Sequence, residues 1–460
     1  MSNSIVTVNV AVTQAPAPST LQGTGAVLSQ GGTTLAVGAK SLITQPSDLT
    51  ALLPNTKAIT SITWLSSVAT VTTAAPHGFT NGDTVPLTIS GATPTGYNGT
   101  FNCLITGAST FTYPLVSNPG SETVPGVYTE EDVAELTSQI NTFFAQGSQK
   151  SVYVLELGAG DAADGVTELT TWLAANPGVF YSYLTPRSWG SEATFLTLAA
   201  TLEAPTAKTY FYVTMTNGNY TGFTAAMKCV KGMIEAPSGL PSTEFSHASD
   251  FQHDLSYAPS STNRVNPNAF AYLFDVTPFP TPGNAAILAA YKAAGVNVVA
   301  TGAEGGVSND ILKWGTTMDK NDFTFWYSVD WVQINLDLSI SNAVINGSNN
   351  PANPLYYNQD GINRLQAVAA SVMSTGVADG MILGQVVQTQ LDPTTLNNNI
   401  ENGLYDNVTV VNAVPFVIYT QLNPNDYAAG VYNGLTAVFV PARGFTSIAI
   451  NVNVTSFVNQ

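Results

Sequence analysis

The chain has 460 residues, 44% of them hydrophobic and only 9% charged, against about 25% charged in ordinary globular chains, so it can fill sizeable cores and is no disordered tail. Its 13 Lys plus Arg against 30 Asp plus Glu leave a formal net charge of −17. That excludes the basic patch needed to release counterions from phosphates, and with it direct nucleic-acid binding.

Ser, Thr, Asn and Gly take the place of the missing charge, which suits packing against copies of the same chain, because desolvating charge at an interface is costly. Cys103 and Cys229 lie far apart and form neither a disulfide framework nor zinc spacing. No basic start with a continuous apolar core opens the chain, and no run of about 18 apolar residues follows. The expectation is a chain folded in a cytoplasm, without membrane insertion.

Residues 1–20 read as an amino-terminal arm in which Val6, Val8, Val10 and Val12 alternate with Thr7, Asn9 and Ala11. Ile448, Ile450, Val452 and Val454 repeat the pattern at the far end. Period two gives each strand one apolar face. The arm runs into Ala15-Pro16-Ala17-Pro18 rather than a tight hairpin, so its strand can pair within its own domain or be donated to a neighbour's sheet edge. Equally, the two ends can pair with each other.

Gly25 to Val37 reads as short strands, and Ser47 to Pro54 as a capped turn or two of helix. From Ile62 to Leu115, short β-segments alternate with turn signals such as Asn81-Gly82-Asp83 and Gly96-Tyr97-Asn98-Gly99. Turns every eight to twelve residues mark a small all-β module, assigned to 62–118 between Pro- and Gly-rich loops. An α/β core occupies 21–61 and 119–335, and a carboxy-terminal part with a helix and the terminal strand occupies 336–460.

The core resumes at an N-cap with acids, Thr129-Glu130-Glu131-Asp132, and Val133, Leu136, Ile140, Phe143 and Phe144 keep helical spacing to Gly147. A strand Val152 to Leu157, a helix from Asp164 to Ala175, a strand Val179 to Leu184, a helix Ser191 to Leu202 and a strand Thr209 to Thr214 give the rhythm of α/β layering. Gly218 to Asn268 reads as polar loop. Beyond it come strand Ala271 to Phe274, helix Asn284 to Ala294, strand Val296 to Ala300, an aromatic stretch Phe323 to Trp331, and a helix Gly361 to Ser374 opened by Asn358-Gln359-Asp360.

Two segments carry possible chemistry. Gly158-Ala159-Gly160-Asp161-Ala162-Ala163 follows a strand as G-x-G-x-x-A, the turn that brings backbone amides to a nucleotide, and resembles the first motif of adenosylmethionine-dependent methyltransferases. The next strand, however, ends without the acid that holds ribose hydroxyls, so a tight strand-to-helix joint is the preferred reading. His247, Asp250, His253 and Asp254 have metal-ligand chemistry but are read as part of a solvated loop with nothing to fix their spacing. His77 is explained by side chain to backbone bonding within its turn. The pairs Asp319/Asp322 and Asp330/Asp337 are read as caps and surface charges rather than general acid and base. No G-x-S-x-G, phosphate loop or H-E-x-x-H occurs. Catalytic, metal and cofactor-binding residues are therefore assigned as none, and no cofactor is expected.

The order of elements, with helix Thr129 to Gln146, strand Val152 to Leu157, helix-strand Ala285 to Ala300, Phe325-Trp326-Tyr327-Ser328-Val329-Asp330-Trp331 and Asp360-Gly361-Ile362, resembles contractile tail sheath proteins of phages. The module Val68 to Tyr113, with Pro76-His77-Gly78-Phe79 and Gly82-Asp83-Thr84-Val85, is similar to a small β-domain recurring in bacteriophage structural proteins. The resemblance implies a mixed α/β sheath-like core with an inserted all-β module and exchangeable terminal β-strands. It further implies a non-enzymatic virion subunit, assembled in the host cytoplasm into hexameric rings stacked helically around the tail tube protein, with baseplate and tail terminator proteins as further partners. Contraction would drive the tube through the host envelope for genome ejection, with Val6, Val8, Val10, Val12, Ile448, Ile450, Val452 and Val454 as inter-subunit strand candidates. A non-contracting virion protein or adhesin with a surface-binding β-module is the alternative, and an adenosylmethionine- or nucleotide-binding enzyme the third.

Overall fold

The computed structural model describes residues 20–445 except 54–55, 80, 148–149, 205, 216–218, 224–226, 235–243, 281–282 and 305. All eight terminal strand candidates, Val6 to Val12 and Ile448 to Val454, lie outside the described residues. Within them the fold is mixed α/β, with several sheets and a small closed barrel.

The first strands and α-helix among the described residues are β1 (Gly25–Ser29), β2 (Lys40–Ile43) and the short α1 (Pro46–Thr50). The barrel follows: β3 (Lys57–Leu65), β4 (Val68–Thr73), β5 (Thr84–Ser90), β6 (Gly99–Gly107), β7 (Thr110–Pro114) and β8 (Val127–Glu130), closed in the order β3-β4-β7-β6-β5-β8 with every pairing antiparallel. A two-residue turn joins β3 to β4, with Ser66 and Ser67 at φ 51° and 66°, the backbone twist that such a hairpin demands. Alternating inward residues, among them Ile62, Val71, Leu87, Ile89, Phe111 and Tyr128, form a core of their own.

The barrel is wider than the 62–118 assigned from sequence. Lys57 pairs with Tyr128 and Ala58 with Val127, while β8 also pairs with β5 from Leu87 to Ser90. The sequence hides this because Thr60, Ser61 and Thr63 dilute the alternation of β3, and β8 has only four residues. Excising 62–118 would divide β3 and leave β8 without β5. Closure removes sheet edges, so a fragment spanning 57–130 is expected to unfold cooperatively on heating with a β-type circular dichroism spectrum. The fragment 62–118 should show neither property.

Thr129 and Glu130 belong to β8 rather than to a cap, and the chain turns directly from strand into α2 (Glu131–Ala145). Then come β9 (Val152–Glu156), α3 (Ala162–Ala175), β10 (Ser182–Leu184), α4 (Ala193–Thr201), β11 (Tyr210–Met215), β12 (Val230–Ile234) and α5 (Ser246–Leu255). The central sheet has the order β12-β11-β10-β1-β9-β2, parallel throughout except for β2. Strands such as Tyr210-Phe211-Tyr212-Val213 are buried along their whole length, as expected for a parallel sheet covered on both faces. Val27, Val154, Tyr181, Tyr210 and Tyr212 face α2, α5 and the start of a later long helix. Leu28, Leu155, Tyr183, Phe211 and Val213 face α3, α4 and the next helix in the chain.

That next helix is α6 (Ala285–Ala294), which lies between β13 (Tyr272–Leu273) and the hairpin β14 (Val299–Glu304) and β15 (Val307–Leu312). The aromatic stretch proves to be the first turns of α7 (Phe323–Asn349), capped by Asp322, whose carboxylate accepts from Thr324 N at 2.9 Å. This single helix crosses the 335/336 boundary drawn from sequence. Asn358 caps α8 (Gln359–Ala378) as its sequence implies. Beyond it lie β16 (Ile382–Leu383), β17 (Gln385–Thr389), α9 (Pro393–Glu401), β18 (Val408–Ala413), α10 (Phe416–Leu422), α11 (Pro424–Ala428), β19 (Leu435–Val438) and β20 (Val440–Pro441). Their strands form a further three-stranded sheet, β17-β18-β19, and the pair β16-β20, alongside the separate sheet β13-β15-β14. Gln366 of α8 fastens that sheet by donating to Thr389 O at 2.7 Å and Val411 O at 2.9 Å.

Candidate functional site

In open parallel sheets, ligands bind beyond the carboxyl ends of the strands. Here the ends of β1 and β9 are joined by Glu156, which is 1% exposed. Its carboxylate accepts from Ser29 Oγ (2.8 Å), Gly31 N (2.7 Å), Thr33 N (3.1 Å), Thr33 Oγ1 (2.6 Å) and Gly158 N (2.8 Å). The amide that a nucleotide phosphate would use at the G-x-G turn is thus turned onto an internal carboxylate. Gly158 adopts φ +89°, and a Cβ there would stand 2.9 Å from Val37.

Asp161 caps α3 by accepting from Asp164 N at 3.0 Å. Gln30 donates to Asp161 O at 2.6 Å and accepts from Trp189 Nε1 at 2.7 Å, filling the space left by Gly165, where a Cβ would lie 2.3 Å from its amide nitrogen. The cavity remaining at this end, lined by Ser29, Gln30, Glu135 and Pro186 among others, has about 10 Å³, the scale of a single water.

The histidine and aspartate cluster is where the sequence expectation fails. His247, Asp250, His253 and Asp254 lie on α5, a buried helix packed on the central sheet, not in a solvated loop. Asp250 and Asp254 are one turn apart and share a face. Lys231, the second residue of β12, reaches both: its Nζ lies 2.7 Å from Asp250 Oδ1, 2.6 Å from Asp254 Oδ2 and 2.7 Å from Asn268 Oδ1. Tyr212 OH and Asn268 Nδ2 also donate to Asp254. An ammonium therefore stands where a metal would have to sit.

The histidines point elsewhere. His247 Nδ1 is 2.5 Å from Thr214 Oγ1 and its Nε2 is 3.4 Å from Thr185 O, while His253 packs edge-on against Tyr257. Among the described residues no group of three or more His, Cys, Asp or Glu is arranged to hold a metal ion.

Burial pushes the Asp250 carboxyl up to about 7, with Asp254 adding to the rise and Lys231 opposing it. Burial also works against the charge on Lys231, but the two carboxylates outweigh it and hold the ammonium above its ordinary value. His247 is depressed to about 3 by burial, with Arg187 acting in the same direction, and burial depresses His253 too. Both rings are thus neutral near neutrality.

The other acids serve packing. Asp330 is fully buried, and its Oδ2 accepts from Tyr181 OH and Tyr210 OH at 2.8 Å each; desolvation raises its carboxyl. It is therefore no surface charge. Asp319 accepts from Thr317, Asn321 and Trp326, and Asp322 adds Gly444 N to its capping bond. His77 accepts from Phe79 N at 3.2 Å, as its turn suggests. Lys231 and Glu156 are the structurally decisive groups that the sequence reading passes over. Each is a lone charge within an apolar run, Val230-Lys231-Gly232-Met233 and Val154-Leu155-Glu156-Leu157, and that is the signal they carry.

No family model matches the chain, and no curated protein matches it. Among solved structures, the helical sheath of the anti-feeding prophage in its contracted state is similar at 11% identity and a TM-score of 0.47, over 96% of this chain and 95% of that one.

Proposed function

We propose that the chain is a structural subunit of a contractile tail sheath. It polymerises as rings around a tail tube, and its terminal strands bridge neighbouring subunits. The observation that carries this reading is the sheet β17-β18-β19, whose two outer strands have no further strand partner among the described residues, in a chain whose ends both alternate apolar and polar residues over several positions. An open edge and an unassigned amphipathic strand are complementary, since strand addition supplies a ladder of backbone hydrogen bonds.

The surface agrees. Val417, Leu422 and Tyr427 on α10 and α11 are exposed, as are Tyr356 and Leu383, and charge is scarce throughout. Joints filled by internal side chains at the strand ends, instead of an open cleft, also favour a scaffold over an enzyme. In this reading the tube, baseplate and terminator are the partners, the virion tail is the location, and contraction draws on free energy stored in the extended packing at assembly.

Negative-stain microscopy and sedimentation velocity test it. Wild type should form long hollow tubes, whereas deletion of residues 1–14, or Ile450→Pro, which removes a ladder donor, should leave a folded monomer. Tubes of normal length from either variant would rule out strand exchange. Isolated rings from wild type would favour a non-contracting virion protein.

A further inference from the structure

Where α7 gives way to α8, the connection folds back beside a half-open cavity of about 190 Å³ lined by Asn346, Gly347, Asn350, Asn353, Leu355 and Arg364 among others. Its walls are fixed. Leu355 N donates to Gly347 O at 3.0 Å, and Gly347 has no Cβ because one would stand 2.4 Å from that of Leu355. Arg364, one turn into α8, donates from Nη1 to Pro354 O at 2.9 Å and from Nη2 to Asn353 O at 3.3 Å.

Those two bonds use two of the five guanidinium N–H groups. Among the described residues no carboxylate lies within the 4.0 Å of an ion pair with Arg364, although acids outnumber bases 30 to 13. Asn350 spends its carbonyl oxygen on Ala352 N, which leaves its NH₂ as a donor. A half-buried cation, side-chain amide donors and an apolar wall at Leu355 are complementary to a planar anion carried on a short aliphatic stem.

We propose that this cavity is a carboxylate-binding site. Two sources share that chemistry: the Asp or Glu side chain of a second copy, and a free small carboxylate. The cavity is smaller than the roughly 300 to 1,000 Å³ of typical small-molecule sites, which favours the side chain. That source rests on the homopolymer reading above, whereas the site itself does not.

The test uses the full chain and N-acetylglutamate α-amide, whose one carboxylate mimics a Glu side chain. Asn346→Asp sets a carboxylate on the cavity wall to occupy Arg364 while keeping both of its bonds to the connection, and Asn346→Ala controls for loss of the amide. Calorimetric titration should show saturable binding to wild type, weakened about tenfold or more, the loss of at least 1.4 kcal/mol, in N346D but far less in N346A. If N346D also blocks self-association seen by sedimentation, the natural carboxylate comes from a second copy; if it binds no probe yet assembles normally, the source is a free acid. Loss of assembly in N346D without measurable probe binding to wild type also supports a second copy. Wild type that binds no probe, with N346D assembling as wild type does, overturns the proposal. A wild type that never self-associates would sink the sheath reading, and the titration alone would then decide the site.

Discussion

Lys231→Met is expected to remove about 3 to 5 kcal/mol of stability, the usual cost of breaking a buried ion pair from one side. The loss is a large share of the roughly 5 to 15 kcal/mol that a domain possesses. Methionine matches the stem of lysine, so packing changes little; what remains is two carboxylates, 2% exposed at most, without their cation. Chemical denaturation of the soluble fraction measures it. The triple variant Lys231→Met, Asp250→Asn, Asp254→Asn should recover part of the loss, because it removes the uncompensated buried charges that the single variant leaves. A single variant as stable as wild type would show that the pairing contributes nothing to stability.

The same cluster sets a pH signature. The Asp250 carboxyl sits near 7 in the fold and at about 3.9 in an unfolded chain, so the native state binds the extra proton between those values. Its contribution to stability is therefore full below about pH 4 and is lost as pH rises to about 7. His247 and His253, depressed in the fold, act in the opposite sense across the acid range, since the unfolded chain takes up their protons. The contrast between wild type and Asp250→Asn isolates the carboxylate: relative to wild type, the variant should gain stability between pH 4 and 7. A constant difference across that window would contradict the assignment.

The parts of this fold legible in the sequence are those where one period dominates. Strand β9 is apolar up to Glu156 and β11 apolar up to Thr214, and α3 and α8 start at Asp161 and Asn358, whose side chains cap them. What stayed hidden depends on contacts distant in sequence. The polar helix α5 reads as loop because Asp250 and Asp254 look solvated until Lys231 arrives from β12, and the aromatic start of α7 conceals its helix because Asp330 meets Tyr181 and Tyr210 only in the folded core. The reading of the G-x-G turn as a joint rested on a missing acid at the next strand. Two residues before the first glycine, the carboxylate of Glu156 takes the Gly158 amide, a contact distant from that signal.

Glu156→Ala is accordingly expected to be about as damaging as loss of Lys231, for the complementary reason. It leaves the backbone N–H groups of Gly31, Thr33 and Gly158 and the hydroxyls of Ser29 and Thr33 without their acceptor, and each buried unsatisfied group costs about 1 to 3 kcal/mol. Glu156→Gln should cost less. If its NH₂ takes the place of Oε2, the hydroxyls of Ser29 and Thr33 can rotate to accept from it, but Thr33 N still meets a donor; in the other orientation Gly31 N and Gly158 N both do. The order Ala worse than Gln worse than wild type, read by denaturant midpoint, identifies a joint built on acceptor geometry. The same protein supplies the contrary test: a cofactor bound only by the native state would raise stability by about 2.7 kcal/mol at a hundredfold excess over Kd. Adenosylmethionine should leave the wild-type melting temperature unmoved, and a clear upward shift would return the G-x-G turn to the class of ligand sites.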